Sequence, residues 1–173
     1  MIISPLQNTA EFRFFDWRNK KPRISQKFGK NKQMYAQFGM NGHNGIDYGV
    51  PIGTPIFSPI EGEAQVVFSS SGYGKHVRIR SEVKGKEIVI GHFSEIFIKD
   101  GDTIGLGDKI GLSGNTGYST GPHVHIGLRL LDGVGKAPIW KRGIKDYGNG
   151  FYGYIDPLPY MINWKGTHMQ NTL

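Results

Sequence analysis

Two imidazoles stand two residues apart in the run Gly121-Pro122-His123-Val124-His125-Ile126-Gly127-Leu128. Val124 and Ile126 are β-branched and Gly121-Pro122 is a turn signal, so the segment reads as a strand entered from a loop. Alternation along a strand puts His123 and His125 on one face, with Cα atoms about 6.6 Å apart. A pair held this way can place one nitrogen on a metal and leave the other free for proton transfer; alternation alone does not say which does which. Upstream lies a second ligand-type pair, His43-Asn44-Gly45-Ile46-Asp47, and between the two pairs His92, in Gly91-His92-Phe93-Ser94. Four of the six histidines and one carboxylate thus fall in three short stretches, which is the composition of a metal site. With no cysteine in the chain, any zinc must be held by His and Asp.

Tetrahedral zinc with ligands at about 2.0–2.1 Å brings adjacent ligand atoms to ~3.3 Å of one another. A helix would let His43 and Asp47 meet this at i and i+4, but Gly42, Gly45 and Gly49 argue against a helix there. On a straight strand their Cα atoms would lie about 13 Å apart, too far for short side chains to share an ion. The chain is therefore expected to bend between them, and Gly45 is where a bend is sterically cheap. His76 and His168 are read as surface histidines without a role. His92 taken alone is more often a structural histidine, and the case for a site rests on the ensemble.

The elements that must position these residues follow from length and patterning. At 173 residues the chain fits one domain that buries roughly two-thirds of its unfolded surface. Its 26 glycines, about twice the usual frequency, are spread along the chain and suit many tight turns. Strands are expected at Ile56–Phe57, Gly62–Ser69, His76–Ser81, Glu87–His92, Asp108–Ser113 and Val124–Leu130, with a hairpin turn at Val83-Lys84-Gly85-Lys86. The expected fold is all-β, an antiparallel sandwich or open barrel. Residues 1–23, with Phe12, Phe14, Phe15 and Trp17, read as an N-terminal arm packed on the domain. Residues 24–38 read as loops around one strand, residues 24–161 as the domain, and 162–173 as a C-terminal tail. Within the domain, 132–153 is an insert with little alternation, a length of loop that is often functional.

The net charge is +7 and the pI near 9.6. That balance favours polyanionic partners, an anionic cell wall among them. Basic residues are scattered (Lys20-Lys21-Pro22-Arg23, Lys30, Lys32, Arg78, Arg80, Lys141-Arg142) and form no basic helix, so no stable nucleic-acid partner is expected. No apolar run is long enough to span a membrane, and the N-terminus shows neither the basic nor the apolar region of a secretory signal. The expectation is a monomer acting outside the cytoplasm, in the periplasm or cell wall, with its leader removed or with access supplied by another route.

Several motifs together carry a resemblance. His43-Asn44-Gly45-Ile46-Asp47 followed by Pro51-Ile52-Gly53-Thr54-Pro55-Ile56 resembles the HxGxD…PxGTPV stretch of the lysostaphin/LytM-type zinc endopeptidases. Gly72-Tyr73-Gly74-Lys75-His76-Val77-Arg78-Ile79 is similar to their GYG strand, Gly91-His92-Phe93-Ser94 to their AHLS, and Gly111 through His125 to their IGxxGxTGxSTGPHLH run. Ile155-Asp156-Pro157-Leu158-Pro159-Tyr160 resembles their terminal VDPxxYL. The likeness covers roughly 24–130 and 154–161. Departures are Ile90 where a tyrosine is usual, Ile126-Gly127 in place of Phe-Glu, and an insert with no counterpart. The tyrosine that helps hold the reaction intermediate in some relatives has no clear counterpart by motif, and Tyr35 is a candidate by position ahead of the first ligand.

The resemblance implies a β-domain whose long loops form a substrate groove, and hydrolysis of peptide bonds in the stem peptide or cross-bridge of bacterial peptidoglycan. Carried over by position, His43, Asp47 and His125 would ligate Zn2+, while His92 and His123 would be catalytic. In that scheme His123 is the base and His92 donates an N–H to the oxyanion. Two rivals are a non-catalytic wall-binding or amidase-activating module of the same fold, and a basic nucleic-acid-binding β-domain. The first usually lacks ligands that are all present here; the second would bind with a steep salt dependence and no need of zinc.

Overall fold

The computed structural model describes residues 23–132 and 143–161, together with the backbone of Ile2–Ile3, Gln7–Asn8, Arg13–Phe14 and Ile162. In chain order the strands begin with β1 (Ile2–Ile3), β2 (Gln7–Asn8), β3 (Arg13–Phe14) and β4 (Arg23–Gln26), followed by helix α1 (Lys32–Ala36). Then come β5 (Ile46–Gly49), β6 (Pro55–Phe57), β7 (Gly62–Val67), β8 (His76–Ser81) and β9 (Lys86–Gly91). The rest are β10 (Phe93–Ile96), β11 (Thr103–Ile104), β12 (Lys109–Ser113), β13 (His123–Leu130), β14 (Tyr154–Ile155) and β15 (Met161–Ile162).

An antiparallel sheet of eight strands runs β11-β7-β8-β9-β13-β5-β4, with β14 also paired to β13. A second antiparallel sheet has the order β10-β12-β6. Alternation explains why these segments are strands. On β13, Val124, Ile126 and Leu128 enter the core while His123, His125, Gly127 and Arg129 take the opposite face. Ile46 and Tyr48 of β5, Ile88 and Ile90 of β9, and Val77 and Ile79 of β8 join the core side. Ile56 of β6, Phe93 of β10 and Ile110 of β12 bring the smaller sheet into the same cluster.

The all-β antiparallel expectation agrees with this architecture, and the turn closing β8 onto β9 spans residues 82–85. Three details differ. Residues 24–38 contain the short helix α1 besides strand β4; it buries no side chain, so no apolar period announced it. The two-residue pair β1–β15 is parallel. His76 is not a surface residue: its ring is buried against Tyr73, with Nδ1 at 2.9 Å from the Gly74 carbonyl. The side chains of Phe12, Phe14, Phe15 and Trp17, the segment Lys20-Lys21-Pro22, Trp140, Lys141-Arg142 and the tail with His168 lie outside the described residues.

Candidate metal centre

Strand register builds the centre. His125 of β13 pairs with Asp47 of β5 on one side and with Gly91 of β9 on the other. Asp47 and His125 are thus cross-strand neighbours on the non-core face, where Cβ atoms approach to about 5 Å. His43 joins them from the loop before β5, because the chain bends at Asn44 and Gly45. The expected bend is present, but Gly45 serves it by close approach and not by a left-handed backbone. A Cβ there would lie 2.3 Å from the Ile126 carbonyl oxygen and 2.8 Å from His125 Nε2.

Three ligand-type atoms converge. His43 Nε2 is 3.0 Å from His125 Nδ1 and 3.2 Å from Asp47 Oδ1, and His125 Nδ1 is 3.0 Å from Asp47 Oδ1. These separations match the ~3.3 Å edge of a tetrahedral zinc site. All three residues are buried. Burial by itself would raise the Asp47 carboxyl, but hydrogen bonds and charge from His125 and His43 outweigh it and hold the group well below the usual carboxylate range. Burial pushes His125 down to about 4, which favours the neutral imidazole a metal requires.

Backbone carbonyls set the tautomers. His43 Nδ1–H donates to the Lys27 carbonyl at 3.3 Å, leaving the Nε2 lone pair for the triangle. His123 Nδ1–H donates to the Gly121 carbonyl at 2.8 Å, and its Nε2 faces Asp47 Oδ2 at 3.8 Å. His92 Nδ1–H donates to the Thr116 carbonyl at 2.7 Å, and its ring lies 4.4 Å from that of His123. His92 and His123 therefore stand side by side next to the triangle, each with Nδ1 committed to a backbone carbonyl. Burial pushes His92 down to about 4. Since a carbonyl only accepts, the His92 Nε2 becomes a donor only when that ring is protonated, a condition the sequence did not reveal.

His92 is held in an uncommon backbone conformation, φ +66°, at the step from β9 of the large sheet to β10 of the small one. Its N–H donates to the Tyr73 carbonyl at 2.8 Å, and Phe93 N–H to that of Lys75 at 2.9 Å, which pins the corner. Thr116, besides receiving His92, donates its hydroxyl to the Phe93 carbonyl at 2.9 Å. Tyr73 stacks on His125 with ring centres 4.9 Å apart, and its hydroxyl meets the Asn44 amide. Sequence reasoning placed Tyr73 and Thr116 in motifs without giving them these contacts; both act on histidines remote in the chain.

The centre lies in a cleft of about 310 Å³. Tyr35 reaches it from α1: its ring is 5.3 Å from His43, and its hydroxyl accepts from Gln26 Nε2 at 3.0 Å. Burial, together with the Asp47 charge, pushes the Tyr35 phenol up to about 12, so it stays protonated. Phe38, Tyr118 and Tyr152 line the cleft beyond it, with Tyr152 donating to the Phe38 carbonyl at 3.0 Å. Tyr152 belongs to the 132–153 segment, whose Phe151 packs on Phe28 and whose Tyr147 packs on Tyr152.

An antiparallel β-domain that gathers two imidazoles and a carboxylate beside two further imidazoles defines a class, that of proteins with a group able to hold a metal ion. Within it, the chain belongs to Peptidase family M23, whose profile matches residues 41–138. It is 34% identical over 110 residues to the peptidoglycan DD-endopeptidase ShyA of Vibrio cholerae, covering 64% of this chain and 25% of that protein. Among solved structures it is similar to the catalytic domain of the prophage-encoded M23 protein EnpA from Enterococcus faecalis (TM-score 0.58, 31% identity, 80% of this chain and 91% of that one). It is also similar to the catalytic domain of the antimicrobial peptidase lysostaphin from Staphylococcus simulans (TM-score 0.61, 25% identity, 80% and 91%). The chain spans about a quarter of the length of the curated relatives it matches.

Proposed function

We propose that this protein is a zinc-dependent endopeptidase that hydrolyses peptide bonds of bacterial peptidoglycan, acting outside the cytoplasm. The observation that carries the proposal is the ligand triangle His43–Asp47–His125, with edges of 3.0–3.2 Å and a pair of imidazoles beside it. His43 Nε2, Asp47 Oδ1 and His125 Nδ1 would hold the ion. Zinc so bound supplies a Lewis acid that polarises a carbonyl and makes water more acidic.

The chain's own groups do the rest. His123 takes a proton from the attacking water at Nε2, the nitrogen its Gly121 contact leaves unprotonated, and then delivers it to the leaving amine. Tyr35 presents a protonated phenol beside His43, suited to donate to the carbonyl oxygen as charge develops there. His92, held at Nδ1 by Thr116, keeps a second neutral imidazole beside His123. Substrate would lie along the aromatic cleft, and the +7 charge would favour a wall rich in carboxylates and phosphates, more so at low salt.

Metal content combined with release of new amino groups from purified peptidoglycan tests the reading. The expected result is one zinc per chain, amine release that a chelator abolishes and zinc restores, and a His123→Ala variant that keeps its zinc but not its turnover. A zinc-loaded wild-type protein that frees no amine overturns it in favour of a wall-binding module.

A further inference from the structure

The non-core face of the large sheet does not end at the ligand triangle. Along β13 it continues from His125 through Gly127 to Arg129, which pairs across β9 with Glu87, itself paired with Arg80 of β8. Arg78 sits one row nearer the centre, in the row of Val89 and Gly127. Glu87 is buried, and one of its oxygens, Oε1, is shared by Arg129 Nη1 at 3.2 Å and Arg78 Nη1 at 3.4 Å. Two guanidinium groups thus divide a single carboxylate oxygen, and the pair keeps a net positive charge even with Arg80, 3.9 Å from Oε2, left out of the count.

Tyr154 of β14 completes the group. Gly127 makes room for it: a Cβ there would lie 2.6 Å from Tyr154 Cε1. The Arg129 guanidinium lies 3.9 Å from the centre of that ring. The Tyr154 hydroxyl faces Tyr73 and Arg78, and among the described residues Arg129 Nε, itself buried, meets no hydrogen-bond acceptor. Buried donors carrying surplus positive charge are costly without an acceptor. Arg78, Arg129 and Tyr154 line the same cleft as His43, Asp47 and His125, and the Arg78 side chain keeps 24% of its surface exposed.

We propose that Arg78, Arg129 and Tyr154 form a carboxylate-binding subsite of the cleft, which selects peptides carrying a carboxylate a few residues from the scissile bond. The proposal rests on the peptidase reading above. Arg129 lies four residues from His125 along the strand, about 13 Å, a span an extended peptide covers in roughly four residues. A planar guanidinium matches the two oxygens of a carboxylate, and peptide stems of the wall carry such groups.

The test uses the full chain, zinc-loaded, with His123→Ala to arrest turnover. Pairs of synthetic stem peptides, differing only in that one carboxylate at a time becomes a carboxamide, are titrated calorimetrically. At one position the carboxylate form should bind about 10-fold tighter or more. That preference should fall to about twofold or less when Arg78→Gln or Arg129→Gln is added. Equal binding of every pair, no binding of either member, or a preference unchanged by both arginine substitutions overturns the subsite, as does binding of a phosphate polymer with no peptide preference. The peptide pairs on unaltered arginines decide the matter even if Arg129→Gln fails to fold. Because the readout is binding, failure of the peptidase reading appears separately, as wild-type protein that cleaves neither peptide.

Discussion

Gly45→Ala is the substitution in which packing and metal binding are most tightly joined. The added Cβ would lie 2.3 Å from the Ile126 carbonyl oxygen, 2.6 Å from His125 Cε1 and 2.8 Å from His125 Nε2. A carbon–oxygen contact relaxes near 3.3 Å, so the entrance to β5 and strand β13 must part by about 1 Å. Overpacking of this kind costs roughly 1–3 kcal/mol. At about 2–4 °C per kcal/mol for a chain of this size, the metal-free protein should lose on the order of 2–12 °C in Tm. The same displacement acts on a triangle whose edges are 3.0–3.2 Å. Zinc affinity should therefore fall about 10- to 100-fold, the range seen when the support of a ligand is disturbed. Differential scanning fluorimetry on metal-free protein reads the first effect; competition against a chromophoric chelator reads the second. Gly49→Ala, at the far end of β5, is the control, with its nearest neighbours, Ser25 Cβ and the Arg23 carbonyl oxygen, at 3.8 and 3.9 Å. Should Gly45→Ala match Gly49→Ala in both measurements, the close-approach argument is wrong.

Two further outcomes follow from the corner and from the buried imidazoles. At φ +66°, His92→Ala keeps the backbone cost and His92→Gly removes it, so the glycine variant should be the more stable by about 1 kcal/mol in urea unfolding; equal stabilities would count against strain at this position. In metal-free protein the unfolded chain takes up protons at His92 and His125 near pH 6.5, while burial makes the folded chain resist until about pH 4. Acid in that window binds the unfolded state preferentially, so Tm should fall as pH drops from about 6.5 to 4. Asp47, held low by His125 and His43, extends the loss below that range. A flat Tm across the window would show that these rings are not buried as neutral groups.

Legibility in the sequence followed the range of the interaction. Strands such as His76–Ser81 and His123–Leu130 were readable because alternation is local, and the expected starts and ends differ from the structure by only a residue or two. The bend between His43 and Asp47 was deducible because a straight strand could not close the distance. The reason for Gly45 was not, since the atoms it avoids belong to β13, some eighty residues away. Helix α1 has no sequence signal because Lys32–Ala36 fully buries no side chain and only Tyr35 is half-buried. The division of labour between His123 and His125 comes from resemblance, since alternation puts both on one face; in the structure His125 turns Nδ1 to the triangle, while His123 spends Nδ1 on Gly121. His76 misled because only tertiary packing buries it. Arg78 reads in the sequence as one of several scattered basic residues, and only the strand register brings it and Arg129 to one carboxylate.

The corner at His92 carries one more consequence. His43, Asp47, His123 and His125 all ride on the eight-stranded sheet or its approach, whereas His92 marks the crossing to the smaller one. A slight hinge opening between the layers would swing one imidazole away while sparing the three residues proposed to hold the ion. On the proposed mechanism such a molecule would stay loaded under gentle denaturation yet fall silent, its chemistry serving as a gauge of how the two layers are seated.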